Sequence, residues 1–165
     1  MCEWAGIPLP KAKAITPYEM PLPYRSLLVH ESDMTLTLER HFGGRVALRV
    51  LSTFLKSGWY YRRVLLVQEY SGRPVEMGAI RMDLGAFSKR VRAQILANEV
   101  PLGRILRDVN IEFKSEAKIF LEVTPNSEMM GVFWLREPRT LYGRQTEMIY
   151  RAKHIGDIVE VLPPV

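Results

Sequence analysis

The residues best equipped for chemistry are one glutamate and a few arginines set among apolar neighbours. Alternate side chains of a strand share a face, and Glu160 is in phase with Ile158 and Leu162 in the segment Ile155 to Leu162. A carboxylate on an apolar face must be paired or hold a proton. Glu160 is therefore either half of a structural ion pair or an acid aimed at a ligand. Arg144 shares a face with Tyr142, Thr146, Met148 and Tyr150. Arg62 runs with Tyr60, Val64 and Leu66, and its neighbour Arg63 with Tyr61, Leu65 and Val67. One of the two is expected to face inward and the other outward, and periodicity does not say which. An inward guanidinium beside an aromatic ring is a fork for a carboxylate, because its N–H groups match both oxygens. The competing reading pairs it with a nearby acid such as Glu69 or Glu76. Together these residues suit a site holding a small organic anion between an arginine on one strand and a glutamate on the last.

The elements that must position them are legible in outline. Arg45 to Leu55 is β-branched and alternating, and Tyr60 to Tyr70 is a second strand. Ser71-Gly72-Arg73-Pro74 is a turn, with Val75 to Met82 as its hairpin partner. Ile111 to Thr124 reads as a strand broken near Lys114-Ser115, and Leu141 to Arg151 with Ile155 to Leu162 forms a closing hairpin. Helices are expected near Leu22 to His30, over Met34 to Phe42, over Phe87 to Asn98 with Val91, Ile95 and Leu96 on one face, from Pro101, and within Pro125 to Leu135. Met34 to Leu38 also alternates like a strand; the Ser32-Asp33 cap and the Gly43-Gly44 stop favour helix. Five of the eleven prolines fall within residues 8–23, which reads as an extended arm lying on the rest. Hairpins with inserted helices define an α+β fold on an antiparallel sheet rather than alternating βαβ units. We expect an arm with a short helix over residues 1–30 and one compact domain over 31–165.

Composition excludes several function classes. At 165 residues, with 47% hydrophobic and 25% charged residues, the chain fits one globular domain. There is no run of 18 apolar residues for a membrane helix and no secretory pattern at the start. The one cysteine, Cys2, fits a reducing, cytoplasmic compartment. It excludes an internal disulfide, and the three histidines lack metal-ligand spacing, so no metal is expected. The net charge of +5 is spread along the chain. With no nucleic-acid motif and no Gly-rich phosphate loop, it suits a small anionic ligand rather than nucleic acid or a nucleotide.

Five blocks then follow one another across residues 31–163: Glu31-Ser32-Asp33-Met34-Thr35; Arg62-Arg63-Val64-Leu65-Leu66 with its Gly72–Pro74 turn and Gly78; Pro101-Leu102-Gly103-Arg104; Leu141-Tyr142-Gly143-Arg144; and Val159-Glu160-Val161-Leu162-Pro163. In this order they resemble segments of the chorismate pyruvate-lyases. The resemblance implies helical flaps over an internal ligand site and cofactor-free conversion of chorismate to 4-hydroxybenzoate and pyruvate. It chooses Arg62 over Arg63 as the grip on the ring carboxylate and sets Glu160 against the ring hydroxyl. Backbone groups of Met34 and Leu102 would contact the ligand, and Arg144 or Arg104 would hold the pyruvyl carboxylate. The alternative is a non-catalytic sensor for a small aromatic carboxylate, since effector domains of some bacterial transcription regulators resemble the lyase fold. The stretch before residue 31 is too short for a helix-turn-helix domain of its own. The chain departs from the lyase pattern in a longer segment from Val123 to Thr140, in Tyr142 for tryptophan, and in one extra residue between Leu141 and Glu160.

Overall fold

A computed structural model describes residues 9–165. Cys2 and Pro8, on which the compartment and the start of the arm were argued, lie outside the described residues. In chain order the elements are β1 (Lys11–Ile15), α1 (Tyr24–Leu28), α2 (Met34–Phe42), β2 (Val46–Lys56), β3 (Trp59–Gln68), β4 (Pro74–Asp83), α3 (Lys89–Ala97), α4 (Leu102–Asp108), β5 (Lys114–Thr124), α5 (Ser127–Val132), β6 (Leu141–Tyr150) and β7 (Lys153–Leu162). Among the described residues the strands form a single seven-stranded sheet, ordered β1-β5-β6-β7-β4-β3-β2. Every neighbouring pair is antiparallel. The fold is α+β, as the pattern of hairpins and inserted helices predicts.

The sheet joins two meanders, β2-β3-β4 and β5-β6-β7, side by side through β4 and β7. Two-residue turns, Ser57-Gly58 and Arg151-Ala152, close the β2–β3 and β6–β7 hairpins with positive φ at both positions. That conformation matches the twist of the flanking strands. The crossover from β4 to β5 carries α3 and α4. The proline-rich arm does more than lie on the domain: Lys11–Ile15 pairs with β5 and forms the sheet's edge.

One face of the sheet is covered by α1 to α4 and holds two separate apolar clusters. The first packs Tyr60, Ile80, Met82 and Met148 against Val91 and Ile95 of α3 and Leu102, Ile105 and Leu106 of α4. The second packs Leu66, Val75 and Leu162 under Leu27 and Leu28 of α1 and Met34 and Leu38 of α2. The opposite face carries a third cluster, where Met129 and Phe133 cover Leu65, Met77, Val123 and Val161. Each fully buried leucine or isoleucine contributes roughly 1.5–3 kcal/mol.

Several expectations need correction. Arg62 and Arg63 do not divide into inward and outward: they are 2% and 3% exposed. They sit on opposite faces, and both faces are covered. Leu96 does not join Val91 and Ile95, being 42% exposed; it lies about 100° round the helix from Ile95. β5 begins at Lys114 rather than Ile111, and Ile111 and Phe113 pack against the first cluster instead. Pro101 caps α4 from outside its first turn. Met34 to Leu38 is helical: Asp33 accepts the Thr35 amide at one end and Gly43, with φ of 67°, stops the helix at the other.

Candidate functional site

Between the first two clusters the apolar packing is interrupted by a cavity of about 70 Å³, enough for several water-sized groups. Its floor is the sheet: Arg62 and Val64 of β3, Glu76 and Gly78 of β4, and Ile158 and Glu160 of β7. Its roof is the start of α2, with Met34 and Thr35, and the start of α4, with Leu102 and Gly103. Phe113 and Ser115 close one side. Four of the six residues singled out from sequence, Arg62, Glu160, Met34 and Leu102, therefore meet in one place.

The roof explains two of the sequence blocks locally. A Cβ at Gly103 would lie 2.0 Å from Asp33 Oδ1. Only glycine lets the α2 cap rest on the first turn of α4. Arg104 and Arg107 then tie the two helices together: Arg104 pairs with Glu39 and donates to the Val46 carbonyl at 3.0 Å, and Arg107 pairs with Asp33 and Glu39. Arg104 is thus a fastening of the roof and does not line the cavity.

Arg62 is buried without a carboxylate partner among the described residues. Its Nη1 makes two long contacts, 3.3 Å to Asn98 Oδ1 and 3.5 Å to the Ile95 carbonyl, and its Nε has none. Burial draws its pKa down, against a smaller upward pull from Tyr60. Arg63, on the other face, pairs with Glu128 of α5. Neither arginine bonds Glu69 or Glu76.

The far end of the cavity is acidic. The register aligns Val64, Gly78, Glu160 and Arg144 across four strands, two residues or about 7 Å along β3 from Arg62. Arg144 is fully buried, and its Nε donates to Glu160 Oε2 at 2.5 Å. Its Nη1 donates to the carbonyls of Leu28, at 3.0 Å, and His30, at 2.8 Å, anchoring the end of α1 and the chain after it to the sheet. Arg144 therefore stands behind Glu160 and outside the cavity lining. Both readings of Glu160, ion-pair member and cavity acid, describe it at once.

Glu76 is the residue that sequence reasoning missed. It is 4% exposed, it lines the cavity, and its Oε2 is buried without a partner. The signal was present, because Glu76 is in phase with Ile80 and Met82 just as Glu160 is with Ile158 and Leu162. Burial, then the nearby Glu160, pushes its carboxyl well above the usual range, Arg144 opposing. Burial raises Glu160 too, with Arg144 again pulling the other way. A carboxyl raised in the fold stabilises it fully below the ordinary value of 4.5, and that contribution is lost as pH rises towards the folded value. Glu76→Gln cannot ionise. It should gain stability over the parent as pH rises from about 4.5, by about 2–4 °C in melting temperature for each kcal/mol. Parallel melting curves for the two proteins from pH 4 to pH 9 would count against this.

The fold recurs among solved structures, although no protein-family model matches the chain and no curated protein matches it. One such structure is described as the ligand-binding domain of a GntR-family transcriptional regulator from Bordetella bronchiseptica, with TM-score 0.54 and 12% identity over 71% of this chain and 85% of that one. A gene product of Staphylococcus aureus gives TM-score 0.56 and 9% identity, covering 72% of this chain and 82% of its own. PhnF of Mycobacterium smegmatis gives 0.58 and 10%, covering 82% of this chain and 65% of its own. At these identities the likeness is one of fold. No helix among the described residues is long and apolar enough to cross a membrane.

Proposed function

We propose that this chain binds a small aromatic or cyclic carboxylate in the cavity and acts as a chorismate pyruvate-lyase. The observation that carries the reading is the buried Arg62, which has no carboxylate partner and faces a cavity whose other end holds Glu160. A buried guanidinium in that condition is stabilised by a bound carboxylate. Arg62 takes the ring carboxylate, and Glu160 meets the ring hydroxyl. Met34 and Leu102 enclose the ring from the roof. Arg144 and Arg104 serve position, the one holding Glu160 and the other the roof.

The chemistry suits such a site. The ring C–O bond to the enolpyruvyl group breaks while hydrogen leaves the adjacent carbinol carbon. The ring becomes aromatic 4-hydroxybenzoate, and the departing enolpyruvate takes a proton to become pyruvate. No oxidant or reductant is needed, so the protein has mainly to orient the ring, exclude water and steady developing charge. The test is incubation of purified protein with chorismate and measurement of both products. Equimolar pyruvate and 4-hydroxybenzoate, falling at least tenfold with Glu160→Gln, is the expected result.

A second reading is supported by the fold shared with the Bordetella ligand-binding domain. In it the same cavity holds an aromatic carboxylate as a signal. Tight binding of 4-hydroxybenzoate with no pyruvate released from chorismate would favour that reading over catalysis.

A further inference from the structure

The cavity contains two buried carboxyls, Glu76 and Glu160, and the cation behind them, Arg144, bonds Glu160. Gly78 makes this crowding feasible. It lies opposite Glu160 in the β4–β7 pairing, and a Cβ there would come within 3.0 Å of Glu76 Oε1 and 3.1 Å of Val64. With no side chain at 78, the Glu76 carboxyl lies over the backbone beside Glu160. The charged groups around it are Glu160 on β7, Arg144 on β6, Asp33 at the start of α2 and Arg62 on β3. Asp33 is held by Arg107, and Arg62 lies at the other end of the cavity.

We propose that Glu76 is a specificity-determining neutral acid: it donates its proton to an uncharged oxygen at the ring position opposite the ligand's carboxylate, favouring a hydroxyl there over a hydrogen or a second carboxylate. This deepens the reading of the cavity as a carboxylate site and rests on it. Buried side by side, two carboxyls with one guanidinium behind them share a proton rather than both ionise. Arg144 bonds Glu160, so the negative charge stays on Glu160 and the proton on Glu76. A neutral carboxyl has one O–H to donate, and Glu76 Oε2 has no protein partner. The ligand supplies the acceptor. A second carboxylate at that position would meet the Glu160 charge, and the Arg144 guanidinium beside it is already paired through its Nε. The direction of the Glu76 pKa agrees with this assignment.

The experiment is calorimetric titration of the wild-type chain, Glu76→Gln and Glu76→Leu with 4-hydroxybenzoate, benzoate and 1,4-benzenedicarboxylate. Infrared difference spectra at neutral pH accompany it. The wild type should prefer 4-hydroxybenzoate to benzoate about tenfold, the worth of one neutral hydrogen bond, and bind the dicarboxylate least. Glu76→Gln, whose amide still donates, should keep the preference for the hydroxyl, and Glu76→Leu should lose it, binding 4-hydroxybenzoate no more tightly than benzoate. A neutral-carboxyl stretching band should be present in the wild type and missing from both variants. An unchanged preference in Glu76→Leu, or no such band in the wild type, overturns the role of Glu76 and leaves the carboxylate reading standing. Failure of the wild type to bind any of the three ligands overturns that reading and the proposal together.

Discussion

Arg62→Ala should abolish binding of 4-hydroxybenzoate and benzoate at millimolar concentrations while leaving the fold at least as stable. The two effects have one origin. The Arg62 guanidinium is buried, its Nε is unbonded, and its Nη1 contacts are long. Removing it relieves an uncompensated buried charge. In the complex the same group would be half of a desolvated charge pair, and truncating one partner of such a pair costs about 2–5 kcal/mol, roughly 30-fold to several thousandfold in affinity. Arg62→Lys separates charge from geometry, because an ammonium keeps the charge and loses the two-pronged fit. It should recover only part of the affinity. Titration calorimetry and thermal melting on the same samples decide the matter. An Arg62→Ala protein that binds like the wild type would remove the cavity from consideration as a carboxylate site.

Arg144→Met should be the most damaging substitution to the fold. Arg144 is fully buried, with one bond to Glu160, one to the carbonyl of Leu28 at the end of α1 and one to that of His30 beyond it. Methionine fills much of the volume but leaves Glu160 and Glu76 buried with no cation bonded to either. Breaking a buried pair in this way costs about 3–5 kcal/mol. Urea unfolding at pH 8 should show that loss. At pH 5 the deficit should shrink, because both carboxyls can then hold protons. Arg144→Met combined with Glu160→Leu should recover stability, since both charges are gone. A loss under 1 kcal/mol at pH 8, or a double variant worse than the single, would mean that the pair is not the fastening described.

Much of the fold was legible because its signals are local. Alternation found β2, β3, β4, β6 and β7, a cap and a glycine stop found α2, and an apolar face found α3. β1 was hidden because Lys11–Ile15 is a short, exposed edge strand in a proline-rich stretch, whose pairing with β5 spans more than a hundred residues. The site was legible in its parts but not in its pairing. Strand phase marked Glu160 as misplaced and left Arg62 tied with Arg63, and only the distant α5 with Glu128 shows what Arg63 does. Nothing local says that Arg144 belongs to Glu160: that follows from the register of β6 on β7. Glu76 was missed because it was read as a partner for an arginine, although the argument applied to Glu160 fits it equally.

The roof of the cavity sets a clock. Its two halves belong to different apolar clusters, and Asp33, Glu39, Arg104 and Arg107 bridge them. On the proposed reading, a ligand held beneath is enclosed by these bridges as well as gripped by Arg62, and the time it stays inside follows how often the two clusters part. Residence and affinity become separately adjustable: one resides in the bridges above the cavity, the other in the strands below it.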